Sequence, residues 1–200
     1  MNGKRIGEVL QATTTSFVAS CDELHCPPDL GALVYASNGQ HQVLGLVSAA
    51  TTASPDPGRP AIPRGREAAS EEEVFRNHPQ LEKLLRTDFT AQVVGFWEGN
   101  QSLVRQYLPA RPPQIHAFVY PASPDLVERF FQQVDYLWLL ARAPTQVPVE
   151  ELMAASVRQA KAVLPPERYR ALAVRAGQEL VRLFEGDPKR VNVVLGRIWP

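Results

Sequence analysis

Cysteine is nearly absent from this chain: Cys21 and Cys26 are the two thiols in 200 residues. Two are too few for a disulfide framework. The length is enough to bury a proper core in one or two domains. Long apolar runs are missing too. No window approaches the roughly 18 apolar residues of a membrane span. The best stretch, residues 134–143, is broken by Asp135 and Arg142. The N-terminal MNGKRIGEVLQATTT lacks the uninterrupted apolar core of a signal peptide. These absences lead to the expectation of a soluble protein of a reducing compartment, cytoplasmic in location.

Net charge is absent as well, with 21 Lys/Arg balancing 21 Asp/Glu. No whole-chain field therefore favours nucleic acid or an anionic membrane. The balance hides an asymmetry. Residues 1–99 carry 8 basic against 12 acidic side chains and residues 100–200 carry 13 against 9, so the halves stand at −4 and +4.

Catalytic signatures are missing in turn. There is no G-x-x-x-x-G-K-[ST] to cradle nucleotide phosphates. The nearest glycine pair, GRPAIPRG at residues 58–65, has no following Lys-Ser/Thr, and its prolines lack the N–H groups such a loop needs. No G-x-S-x-G, H-E-x-x-H or dinucleotide glycine fingerprint is found. The expectation is a protein that is not an enzyme and has no cofactor.

Proline is plentiful, at 18 residues, gathered in turns and at helix starts. The stretch that organises the chain is residues 5–50, which reads as strands separated by turn-rich segments. Ile6, Val9 and Leu10, then Phe17 and Val18, are the expected inward residues of the first two strands, with residues 13–16 at the bend. Pro27-Pro28-Asp29 cannot sit in a central strand, so residues 21–30 form a loop. Leu33-Val34-Tyr35 enters Asn38-Gly39, whose φ > 0 tolerance predicts a type I′ hairpin returning through residues 42–47.

Residues 51–69 hold four prolines and two glycines and read as a loop excursion. Ser70 and Glu73 make a capping box that starts a helix over residues 71–85, bent or split by Pro79. DFTAQVVGFWEG at residues 88–99 returns to strand character, residues 102–107 pair beside it, and residues 115–120 close the β region. Ser123-Pro124-Asp125 starts the first C-terminal helix, with Leu126, Val127, Phe130, Val134, Leu137 and Trp138 at helical spacing. A second helix spans about residues 148–163. The third, about 166–185, buries Tyr169, Leu172, Ala173, Ala176, Leu180 and Phe184. VNVVLGRIW at residues 191–199 reads as a terminal strand.

Few residues here could carry chemistry. Cys21-Asp-Glu-Leu-His-Cys26 collects thiols, an imidazole and carboxylates, but its spacing is not that of a zinc site and no second Cys pair follows. Nothing around either thiol looks like a nucleophile elbow or a helix N-terminus. No metal site is expected there, and His116 reads as a satisfied strand residue. Arg168, Arg175 and Arg182 lie seven apart on the third helix, with Lys161 and Arg170 near. They are the candidate contacts to a partner or to nucleic-acid phosphates, against the plainer reading of a solvated face. Phe130, Phe131, Tyr136 and Trp138 surround the first helix on more than one side, which points to burial on two sides or to an apolar patch for a partner.

Taken together, Ile6-Gly7-Glu8-Val9, Phe17, Gly31-Ala32-Leu33-Val34-Tyr35 and Leu44-Gly45-Leu46-Val47 resemble the HAS-barrel. That module precedes the motor of the HerA DNA-translocating ATPases and is similar to the N-terminal barrel of ATP synthase α and β subunits. The strand at residues 91–95 and the exit at Arg111-Pro112-Pro113 fit its second half, so the resemblance covers about residues 3–120. The motor itself is replaced by some 80 residues of helices and a strand, leaving no positions for the family's nucleotide or catalytic residues. The resemblance therefore implies docking or assembly, onto a ring ATPase or further copies of this chain. Stand-alone barrels with a helical tail also resemble cyanobacterial proteins.

The expected architecture is α+β. Residues 1–120 form a HAS-like barrel of about six strands, with the excursion 51–69 and the helix 71–85. Residues 121–200 form a three-helix subdomain with the terminal strand 191–199. The expected function is a non-catalytic protein-interaction and assembly module. The alternative is a nucleic-acid-binding accessory factor in DNA repair or processing that uses the basic helical half.

Overall fold

The computed structural model describes residues 3–56, 58–98 and 103–199. Strand β1 (Gly7–Ala12) turns at Thr13 into β2 (Ser16–Cys21), and β3 (Leu33–Ser37) turns into the long β4 (Gln42–Ala53). Two short helices, α1 (Glu71–Asn77) and α2 (Leu81–Leu84), precede β5 (Arg86–Trp97), β6 (Val104–Arg105) and β7 (Phe118–Pro121). The rest is helical: α3 (Pro124–Phe130), α4 (Tyr136–Leu140), α5 (Val149–Ala160), α6 (Pro166–Leu183) and α7 (Pro188–Ile198).

The strands close into a six-strand antiparallel barrel, with neighbours running β1-β2-β5-β4-β3-β7 and back to β1. β6 extends the side of β5 that β2 leaves uncovered, pairing Phe96 with Arg105 and Trp97 with Val104. Closure pairs the backbone groups that an open sheet would leave at its edges.

Two cores divide the strand side chains. Val9, Phe17, Ala19, Val34, Ala36, Val43, Val47, Phe89, Ala91, Val93 and Val119 fill the barrel interior. Leu33, Tyr35, Leu44, Leu46 and Val94 point the other way, into a second cluster shared with the helices. Successive side chains alternate across a strand. The run Leu33-Val34-Tyr35-Ala36 is apolar throughout because both of its faces are buried, the interior one by strands and the outer one by helices. The outer surface of β3, β4 and part of β5 is thus occupied by the chain's own C-terminal half. In β1 and β2, by contrast, Val9 and Phe17 are buried while Leu10 and Val18 are only half-buried on the opposite face.

Two contacts lock the helices to the barrel. Gly31, with φ +78°, lies so close to α5 that a Cβ would meet Ala155 C and Ser156 N at 2.5 Å. A left-handed residue without a side chain is what this approach requires. On the other side of the shared core, the Gln106 side chain donates to the carbonyls of Phe130 and Gln133 at 2.7 and 3.3 Å and accepts from Tyr136 N–H at 3.0 Å. Tyr136 Oη lies 3.0 Å from Ser156 Oγ, and that hydroxyl in turn donates to Met153 O at 2.8 Å, so this buried polar set is satisfied.

Several sequence expectations are corrected. The terminal strand over residues 191–199 is instead the helix α7. Asp187 caps it by accepting from Arg190 N–H, Pro188 sits in its first turn, and Val191, Val194 and Ile198 are buried at helical spacing. Helix propensity spans under about 1 kcal/mol for such residues, so packing on α5 and α6 outweighs the β-branched run. Among the described residues the C-terminal half accordingly holds five helices rather than three.

The expected helix through Trp138 breaks at residues 131–135 into α3 and α4, whereas the helix over 71–85 splits at Pro79 into α1 and α2 as expected. β4 continues through Thr51, Thr52 and Ala53, shortening the excursion. The Asn38-Gly39 hairpin forms, but without a type I′ turn, because φ is positive at Gly39 and not at Asn38. Asn38 Oδ1 instead accepts from Gln40 and His41 N–H at 3.0 and 2.7 Å across a four-residue connection. β7 begins at Phe118 rather than at residue 115. Gly99 and Ser102, at the edges of two expected strands, lie outside the described residues.

Candidate functional site

α6 opens at Pro166, in its first turn, and its apolar positions face inward: Tyr169, Leu172, Ala173, Ala176 and Leu180 are buried. Its opposite side carries Val174 and Val181, two turns apart and 47% and 57% exposed. The break between α3 and α4 brings Trp138 against the other flank of α6, beyond the arginines. Its indole N–H donates to the Glu179 carboxylate, and the Arg142 guanidinium stacks 4.9 Å from the ring centroid. Trp138 keeps 40% of its surface exposed.

The three arginines singled out in the sequence all lie along this helix. Arg168 forms an ion pair with Glu128, Arg175 donates to the carbonyl of Phe131 at 3.0 Å, and Arg182 pairs with Glu179 at 3.2 Å. Arg168 and Arg175 line an open cleft of about 410 Å³ between α3 and α6, together with Glu128, Phe131, Gln132 and Leu164. The helical spacing therefore brings the three to one side, and each also has an intramolecular acceptor. Exposed ion pairs of this kind exchange with solvent at little cost, typically under about 1 kcal/mol. The guanidiniums can change partners.

Among the described residues, the lysine and arginine ion pairs do not join the two halves; those of the C-terminal half are with carboxylates of that same half, such as Glu128 with Arg168, Glu150 with Arg190 and Glu151 with Arg197. The acidic N-terminal half keeps its own, Lys4 with Glu23 and Arg5 with Asp22.

The Cys21/His25/Cys26 loop is arranged differently from a reactive site. Cys21 is half-buried and Cys26 exposed, both as free thiols. Burial first, then the carboxylates of Asp88 and Asp22, push the Cys21 thiol up to about 11. A nucleophilic cysteine needs the opposite shift. His25 has φ +62°, donates its backbone N–H to Thr87 Oγ1 at 2.8 Å, and meets Phe75 of α1 edge-on. Among the described residues, no group of three or more His, Cys, Asp or Glu could hold a metal ion. His116 is an exposed turn residue with φ +66°, not a strand residue, and its Nδ1 lies 2.6 Å from Glu8 Oε1. No helix of the described residues is long and apolar enough to cross a membrane.

Of the four aromatics that the sequence assigns to burial on two sides or to an apolar patch, Phe130, Phe131 and Tyr136 are buried and Trp138 alone is exposed. YLWLL at residues 136–140 is apolar at every position, so periodicity could not tell which side chain turns outward. Compared with models of known protein families and with curated proteins, the chain finds no match.

Proposed function

We propose that this chain is a non-catalytic interaction module that docks a partner protein through the outward face of α4 and α6. The observation that carries this reading is the exposed side of α6, where Val174 and Val181 stand along one edge and Arg168, Arg175 and Arg182 along the other, with the part-exposed Trp138 beyond the arginines. Tryptophan and arginine dominate the energetics of protein interfaces because they bury a large apolar surface while keeping a polar handle. The resemblance of Ile6-Gly7-Glu8-Val9 and Leu44-Gly45-Leu46-Val47 to the HAS-barrel supports the same class of role, assembly rather than catalysis. With the outer surface of β3 and β4 covered by helices, docking falls to the helical side.

The test is capture from a native extract with the immobilised chain, comparing wild type with Val174→Asp/Val181→Asp. The wild type retains a partner and the double variant loses about tenfold of it, the equivalent of about 1.4 kcal/mol. No protein enriched by the wild type, or equal retention by the variant, overturns the reading.

Nucleic-acid binding is the second reading, and the alignment of Arg168, Arg175 and Arg182 favours it. The carboxylates of Glu128 and Glu179 weaken it, since both lie where a phosphate would approach. Titration with single- and double-stranded DNA at low and moderate salt decides it. Binding that falls steeply with salt and is lost on reversing the three charges supports it; no binding, or binding that survives those reversals, removes it.

A further inference from the structure

The cleft between α3 and α6 already holds one carboxylate. Glu128 of α3 pairs there with Arg168 of α6, and both line the cleft. Arg175 lines it too, but its acceptor is a neutral group, the carbonyl of Phe131 at 3.0 Å. Among the described residues Arg175 forms no ion pair. A guanidinium carries five N–H donors in a rigid fork, so Arg175 keeps donors to spare after that one bond.

The helix directs both arginines at one space. Seven residues advance α6 by roughly 10.5 Å and leave the two side chains about 20° apart. The cleft measures about 410 Å³, within the roughly 300–1,000 Å³ of ligand sites. Leu164 and the Phe131 ring, 8% and 2% exposed, form its floor, and Ala171 stands on α6 between the arginines. Charge is not balanced here. Two arginines face one glutamate, in a half of the chain that stands at +4.

We infer that this cleft binds an acidic peptide segment of a partner protein, a reading that rests on the docking role proposed above and names the chemistry of what docks. One carboxylate of the segment takes Arg175 through paired N–H···O bonds. A neighbouring apolar side chain lies against Ala171 and Leu164. Glu128 is the competitor within the chain: it keeps Arg168 occupied until the segment offers a second carboxylate, an exchange that costs little at an exposed pair. A nucleic-acid backbone fits less well. It brings a row of phosphates past Glu128, whereas the cleft leaves one charge uncompensated.

NMR titration of the ¹⁵N-labelled full chain with a synthetic peptide, acetyl-Glu-Leu-Glu-Leu amide, tests this. The side-chain Nε–H signals of Arg175 and Arg168 and the amide of Ala171 move and saturate, with a dissociation constant on the order of 1 mM. The neutral acetyl-Gln-Leu-Gln-Leu amide moves none of them. Arg175→Gln weakens binding at least about tenfold, whereas Arg158→Gln, an equal loss of charge on α5, leaves it unchanged. Glu128→Gln frees Arg168 and tightens binding about threefold. A chain blind to the acidic peptide, equal binding of the neutral one, or a Glu128→Gln variant that binds no more tightly overturns the inference. So does single-stranded oligothymidylate that moves these signals when the peptide does not, which gives the cleft to nucleic acid. These outcomes leave Val174 and Val181 untouched, so failure here leaves the docking reading, tested through those valines, standing.

Discussion

Gln106 Oε1 accepts the backbone N–H of Tyr136 at 3.0 Å, and that single bond ties the strand side of the molecule to the start of α4. The same side chain satisfies the carbonyls of Phe130 and Gln133. One amide thus holds the break between α3 and α4 and sets where Trp138 emerges.

Replacing Gln106 by Leu removes the side-chain partner of Phe130 O, Gln133 O and Tyr136 N–H in a site 7% exposed, and Phe130 O keeps the Gln133 N–H at 3.5 Å. An unsatisfied buried group costs about 1–3 kcal/mol, and the turn relaxes toward water for some of them. The expected loss is about 2–4 kcal/mol in urea unfolding, with Trp138 fluorescence shifted in the folded state. A loss under about 0.5 kcal/mol contradicts the assignment.

Gly31→Ala combines a left-handed backbone with a Cβ placed 2.5 Å from α5 atoms. Gly186, at φ +85° with nothing within 4 Å of a Cβ, is the matched control. The control loses about 1–2 kcal/mol from backbone strain alone. Gly31→Ala loses more, because α5 must move off the barrel. Equal losses in thermal unfolding show that the contact with Ala155 is unimportant.

The helical assignment of residues 188–198 separates two adjacent valines. Val194 is fully buried and Val193 is 42% exposed. Val194→Asp places an unpaired charge in the shared core and costs more than about 3 kcal/mol, whereas Val193→Asp stays within about 0.5 kcal/mol. Chemical denaturation of the pair settles the phase of α7.

Cys21 and Cys26 differ in exposure, the first half-buried and the second exposed. The Cys21 thiol is raised from 9.0 to about 11 by burial and nearby carboxylates, so the folded chain holds that proton more tightly than the unfolded one. Its contribution to stability is complete below pH 9 and is lost as pH rises from 9 to 11. Iodoacetamide at pH 8 accordingly labels Cys26 well before Cys21, read by mass spectrometry of digests. Equal rates contradict the burial of Cys21.

Much of the fold is legible in the residues alone. Asn38-Gly39 between apolar runs marks a hairpin, Ser70 with Glu73 marks a helix start, and Pro166 followed by Tyr169, Leu172, Ala173 and Ala176 marks α6. These are local signals, complete within a few residues of chain. The candidate site is legible only in part. Seven-residue spacing predicts that Arg168, Arg175 and Arg182 share a side, but it cannot supply Glu128, Phe131 O or Trp138 as their neighbours.

What the sequence by itself determined is the period of each element wherever polar and apolar residues alternate, and the turn or cap that bounds it. The tertiary structure alone decided the rest. It made residues 188–198 a helix, because Val191, Val194 and Ile198 find burial at that spacing against α5 and α6. It assigned Val34 to the barrel interior and Tyr35 to the helices. It also turned Trp138 outward through the Gln106 amide bonded to Tyr136 N–H. The reason is the same in each case: an all-apolar run carries no phase of its own, and only the surfaces packed against it can choose which side faces in.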